Sequence, residues 1–107
     1  MNATLLRIYV HENRKQDHIL VYEWLLERGH ALGIPGGSAT RALAGFGRTG
    51  VMRADRFYEL AGDMPVVVEF VAPDALIDAL LALVRDSGVR TFHVRMPVDC
   101  GVTEGKL

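Results

Sequence analysis

Pro65-Val66-Val67-Val68-Glu69-Phe70-Val71-Ala72-Pro73-Asp74-Ala75-Leu76-Ile77 is the stretch that decides the fold. Up to Ala72 it is dense in β-branched residues, which predicts a strand. Its near-continuous apolar character places that strand centrally in a sheet. At Pro73-Asp74 the period changes. Proline suits a first helical turn and an acid suits its positive end, and Leu76, Ile77, Leu80, Leu83 and Val84 then recur as a helical stripe that Gly88 ends. Beyond the helix, Val89–Val98 alternates as a closing strand, with Phe92, Val94 and Met96 expected toward the core and Thr91, His93 and Arg95 away from it. The polar tail 99–107 is expected to be loose.

On the N-terminal side, Ala3–Val10 alternates as a strand, Leu6, Ile8 and Val10 on one face and Leu5, Arg7 and Tyr9 on the other. His11–Gln16 is a polar connection. From about Asp17, read as an N-cap, a helix presents Tyr22, Leu25, Leu26, Gly29 and Leu32 on one stripe, and Gly33 is its left-handed stop. A strand over Ser38–Phe46 follows. Residues 48–63 carry Arg48, Arg53, Arg56 and the pair Phe57-Tyr58 without a sustained period. They read as a long loop with at most one helical turn around Ala54–Leu60, a length that is often functional.

The order is β-α-β-loop-β-α-β in a single domain over 1–98. Two helices cannot cover both faces of four strands, so the expected class is α+β. It is a ferredoxin-like βαββαβ sandwich, a four-stranded antiparallel sheet with both helices on one face. The other face is expected to carry Arg7, Tyr9, His93, Arg95 and Glu69, the last paired with Arg7 or Arg95. That mixture suits neither a core nor plain solvent and predicts cover by another copy of the chain.

Composition sets the outer bounds. The chain has 107 residues, with Lys plus Arg at 12 and Asp plus Glu at 13, for a net charge of −1. One domain fits, and there is no basic excess for nucleic acid. The single cysteine, Cys100, excludes an internal disulfide and a CxxC metal site. The N-terminus does not read as a signal peptide, and Glu69 interrupts the longest apolar run, so a cytoplasmic protein is expected.

Gly45-Phe46-Gly47-Arg48 carries the chemistry. Glycines let backbone N–H groups approach a ligand, and successive N–H groups in a turn form a concave anion site to which Arg48 adds a forked cation. The same pattern also occurs in ordinary turns. Arg41, Arg48, Arg53 and Arg56 have two readings: an electropositive rim for phosphate, or a solvated loop whose arginines pair with Glu12, Asp55 and Glu59 across subunits. Histidines 11, 18, 30 and 93 lack the close pairing of a zinc site. No Ser/His/Asp set, carboxylate pair or Walker-type loop is present, so the reading is of a protein that is not an enzyme.

The Gly45-Phe46-Gly47-Arg48 corner closing the second strand resembles the PII signalling proteins, whose ligand loop begins at such a corner. The chain resembles more closely an uncharacterised PII-like family (domain of unknown function 190), some members of which are encoded beside fluoride exporters. The matching residues are Leu6-Arg7-Ile8-Tyr9-Val10-His11-Glu12, Tyr22-Glu23, Gly33-Ile34 with Gly36, and Asp63 through Glu69. The resemblance implies a homotrimer with ligand clefts between subunits, a nucleotide-type anionic effector, and a 48–63 loop that signals to a protein partner such as a membrane transporter. Gly45, Gly47 and Arg48 carry over from the resemblance residue by residue; Phe46 as a stacking ring, Arg41 and Arg53 as rim cations, and Arg90 complete the expected ligand set. No cofactor is implied. Where PII proteins have a glycine-rich, lysine-bearing loop, Asp86-Ser87-Gly88-Val89-Arg90 is short, with Arg90 its one substitute cation, and Thr49 replaces a glutamine. Fewer cations favour AMP or ADP over ATP. A divalent-metal-binding trimer similar to the cation-tolerance proteins, and a structural oligomer without ligand, are the alternatives.

Overall fold

The computed structural model describes residues 1–47 and 64–105. Strand β1 (Asn2–His11) is followed by a small hairpin, β2 (Lys15–Gln16) and β3 (Ile19–Leu20), and by helix α1 (Val21–Ala31). Then come β4 (Gly36–Arg41), β5 (Pro65–Ala72), helix α2 (Asp74–Ser87) and β6 (Phe92–Asp99). The main sheet runs β4-β5-β1-β6 and every pairing in it is antiparallel. This is the expected ferredoxin-like α+β sandwich, with the Pro65–Ala72 strand inside the sheet.

The alternation in β1 and β5 sets the layers. Leu6, Ile8 and Val10 with Val66, Val68, Phe70 and Ala72 are buried under the helices. There they meet Val21 and Leu25 of α1 and Ile77, Leu80 and Val84 of α2. Leu83, which the helical stripe includes, is instead exposed. Phe70 sits where α1 crosses the sheet: a Cβ added to Gly29 or Gly37 would lie 2.5 or 2.7 Å from its Cε1 atom. Two glycines, one on the helix and one on the edge strand, therefore leave room for this ring.

Three expectations are corrected. Asp17 is not the N-cap of α1. Asp17 and His18 have φ of 52° and 67° and form the two-residue turn of the β2–β3 hairpin, a conformation for which Asp and His are among the tolerant residues. The helix begins behind Leu20, without a side-chain cap bond. The second strand runs Gly36–Arg41, not Ser38–Phe46. Its ladder closes with the Ala42 N–H donating to the Pro65 carbonyl at 2.8 Å, and Pro65 has no N–H with which to carry the pairing further.

The third correction concerns β6. Arg95 lies opposite Leu6 and His93 opposite Ile8, whereas Phe92, Val94 and Met96 lie opposite Tyr9, Arg7 and Leu5. His93 and Arg95 are thus on the helix side, and the apolar set is on the open side. Alternation gives two parities but not which one faces the helices; register with the neighbour decides it. Here Arg95 is held from the helix side, donating to Asp78 Oδ1 at 2.8 Å and to Asp74.

The open face therefore carries Leu5, Val67, Val71, Val94 and Met96, which is more apolar than the sequence suggests. Arg7 and Glu69 lie among them, with Arg7 Nε donating to Glu69 Oε2 at 3.0 Å. Tyr9 and Phe92 pack against each other at its end with tilted rings, centroids 5.8 Å apart.

Asp74 also accepts from the Thr4 hydroxyl at 2.7 Å. That bond first, and Arg95 second, hold its carboxyl below the ordinary value of 3.8. A depressed carboxyl contributes stability that is present above its unfolded pKa and lost as pH falls through the lower folded value. In urea titrations below about pH 4, the native chain is expected to lose stability more steeply than Asp74→Asn. Parallel acid limbs would contradict this role.

Candidate ligand corner at one end of the sheet

The C-terminal ends of β1 and β4 and the N-terminal ends of β5 and β6 meet at one end of the sheet. At the β4 edge the chain leaves the ladder at Ala42 and passes through Leu43, which is exposed, to Gly45, Phe46 and Gly47. Gly45 lies against the start of β5; an added Cβ would stand 3.3 Å from Pro65 Cγ. The Phe46 ring is 71% exposed, so its face is open to a planar partner. Arg48 and Arg53 lie outside the described residues, as does the 48–63 loop as a whole.

Arg41, the last residue of β4, reaches across the end of the sheet. Its Nη2 donates to Glu12 Oε1. The Glu12 side chain is only 18% exposed and its backbone N–H donates to the Met64 carbonyl at 2.8 Å, so this carboxylate is fixed at the base of the corner. The pairing of Arg41 with Glu12 forms within one chain rather than across subunits. Glu12 Oε2 is buried and has no hydrogen-bond partner among the described residues.

Arg90 stands at the opposite edge. It lies just before β6, at the mouth of a cleft of about 630 Å³ between α2 and β6 that Arg85, His93 and Arg95 also line. Strand order puts three inter-strand spacings, about 14 Å, between the edges that carry Arg41 and Arg90. A single chain has Arg41 at the end of the edge strand that leads into Gly45–Gly47 and holds Arg90 at the opposite edge.

The sequence reading misses two further residues. Arg14 Nη1 donates to the Arg90 carbonyl, and Gln16 Nε2 donates to the Ser87 carbonyl at 3.2 Å. The β2–β3 hairpin thus clasps the turn that presents Arg90 and satisfies a carbonyl at the end of α2. In sequence this stretch shows only as polar, because its turn lacks the glycine that marks most two-residue hairpins. Among the described residues no group of three or more His, Cys, Asp or Glu side chains is placed to hold a metal. No helix among them is long and apolar enough to cross a membrane.

The fold is that of the PII-like proteins. Residues 3–98 match the DUF190 family, described as "Uncharacterized ACR, COG1993", and the chain belongs to that family. It is 33% identical over 81 residues to a UPF0166 protein of Aquifex aeolicus, covering 76% of this chain and 77% of the relative. It is 26% identical over 106 residues to a UPF0166 protein of Methanocaldococcus jannaschii, covering 99% and 96% of the two chains. Among solved structures it is similar to CPII of Thiomonas intermedia K12, a nitrogen regulatory PII-like protein bound to ADP, AMP and bicarbonate. That likeness has a TM-score of 0.70 at 16% identity, covering 95% of this chain and 91% of that one. A second CPII structure, with ADP and bicarbonate, gives a TM-score of 0.67 at 18% identity, with the same 95% and 91% covered.

Proposed function

We propose that the chain is a cytoplasmic PII-like regulatory sensor, not an enzyme, that binds an adenine nucleotide, AMP or ADP, between the subunits of a homotrimer. Gly45, Phe46, Gly47, Arg48 and Arg41 of one copy face Arg90 of the next. Residue Arg53 belongs to the loop over 48–63 that carries the signal to a protein partner, a membrane transporter being one such partner. The observation that carries the reading is the separation of the corner from Arg90 by the width of the sheet. Half a site stands at each edge, and a ring of copies is the arrangement that brings unlike edges together. The apolar open face, which a neighbour would cover, supports the same assembly. So do the nucleotides bound by CPII.

The ligand acts by making different contacts with two states of the loop, which is what lets it shift their balance. Arg48→Ala removes a forked, charge-assisted contact of the kind worth about 1.5–3 kcal/mol, so AMP and ADP affinity is expected to fall about 10- to 100-fold by calorimetry. An unchanged affinity rejects the assignment. Copper or zinc giving the only heat would favour the metal-binding trimer. No heat from nucleotide or metal would leave the structural oligomer.

A further inference from the structure

We propose that Glu12 is an internal competitor for the ligand: it holds Arg41 in the empty protein and gives it up to the incoming phosphate, so that Glu12 sets the affinity of the site. This rests on the proposed nucleotide reading.

Three observations carry it. The contact is single-point, one guanidinium nitrogen on one carboxylate oxygen. Guanidinium has a fork of donors that fits carboxylate or phosphate with two parallel bonds, and the two-point form is the stronger. Among the described residues Arg41 is therefore paired below its capacity. Glu12 is used below its capacity as well, since its buried Oε2 has no partner among the described residues. A buried acceptor left unbonded costs free energy, which keeps the empty state from being deeply stabilised by this contact.

The placement is the third. Glu12 is fixed through its own N–H to Met64, one residue before β5, and the β4–β5 ladder closes beside it at Ala42 and Pro65. Arg41 is half exposed while Glu12 is mostly buried, so the arginine is the free-swinging partner and the carboxylate the fixed one. Gly45, against Pro65, belongs to the same corner. A phosphate seated on the corner N–H groups offers several oxygens to the Arg41 fork, and exchange replaces one bond by two. The same carboxylate repels the phosphate through a short, partly water-excluded path. The exchange favours a nucleotide with enough phosphate to compete for the fork, while the repulsion lowers affinity for every anion and more so the higher its charge; together they set the affinity of the site.

The experiment is calorimetric titration of ADP into the native chain, Glu12→Gln, Arg41→Lys and the double variant. Glu12→Gln is close to isosteric and removes the competing charge; ADP is expected to bind it about three- to tenfold more tightly. Arg41→Lys keeps the charge but loses the fork, and is expected to weaken ADP about three- to tenfold in the native background. In the double variant the gain from Glu12→Gln should shrink, since the freed cation can no longer make two bonds. Thermal melts check folding. Should Glu12→Gln not fold, Arg41→Lys alone decides, and unchanged ADP affinity there overturns the proposal. Native binding with an unchanged or weaker Glu12→Gln overturns it while leaving the nucleotide site standing. No ADP binding by any of the four proteins overturns both.

Discussion

Phe70→Ala is expected to destabilise the chain by about 3–5 kcal/mol, the range for truncating a buried aromatic. The ring is 2% exposed and lies between Gly29 and Gly37, where α1 meets the sheet. The glycines on either side have no side chains that could lean into the space, so truncation leaves a void that the helix must either tolerate or collapse upon. Cavity cost rises with the volume that stays empty. A domain of this size has only about 5–15 kcal/mol in total, so the variant should unfold at much lower urea. A shift worth less than about 1 kcal/mol would mean that α1 does not rest on this ring.

Leu5→Asp should dissociate the proposed trimer without unfolding the chain. Leu5 lies on the open face of the central strand β1, opposite Val71 of β5 on one side and Met96 of β6 on the other. A carboxylate there is free in a lone chain, because the face is on the outside of the fold. In an oligomer that covers the face it is buried beside an arginine, Arg7, already bonded to Glu69, at a cost of several kcal/mol per copy. Sedimentation is expected to give trimers for the native protein and monomers for Leu5→Asp, with equal helical circular dichroism. A variant that stays trimeric would place the interface elsewhere.

What sequence reveals and what it hides follow from the same physics. Pro65–Ala72 and its neighbour Ala3–Val10 declare themselves because they are buried on one face and apolar on much of the other, a pattern few alternatives satisfy. Helix α2 is equally legible, from Pro73 to the left-handed Gly88. The edge elements are harder. β4 is a run of small and polar residues, all exposed, whose end is fixed by the missing N–H of Pro65 in a different strand. β6 alternates cleanly, yet its facing depends on register with β1 and on the bonds from Arg95 to α2. Pairing between strands from opposite ends of the chain is not written in local period.

The candidate site divides in the same way. The Gly45–Gly47 corner is visible as a motif, and Arg41 stands out by charge. Glu12 is one of three carboxylates that the sequence offers to the arginines; that it takes Arg41, and within one chain, is decided by β1 and β4 finishing at the same end of the sheet with β5 between them. The roles of Arg14 and Gln16 depend on a hairpin turn made by Asp17 and His18, residues that carry no strong turn signal of their own.

Subunit complementation tests most directly for a cavity shared between copies. Arg48→Ala and Arg90→Ala are each expected to bind ADP poorly. Mixed one to one, unfolded and refolded together, they form hybrid rings in which an intact corner from one chain faces an intact Arg90 from the other, restoring about a quarter of the sites at native affinity. A mixture that binds no better than its two components would show that the nucleotide, if held at all, is held within a single chain.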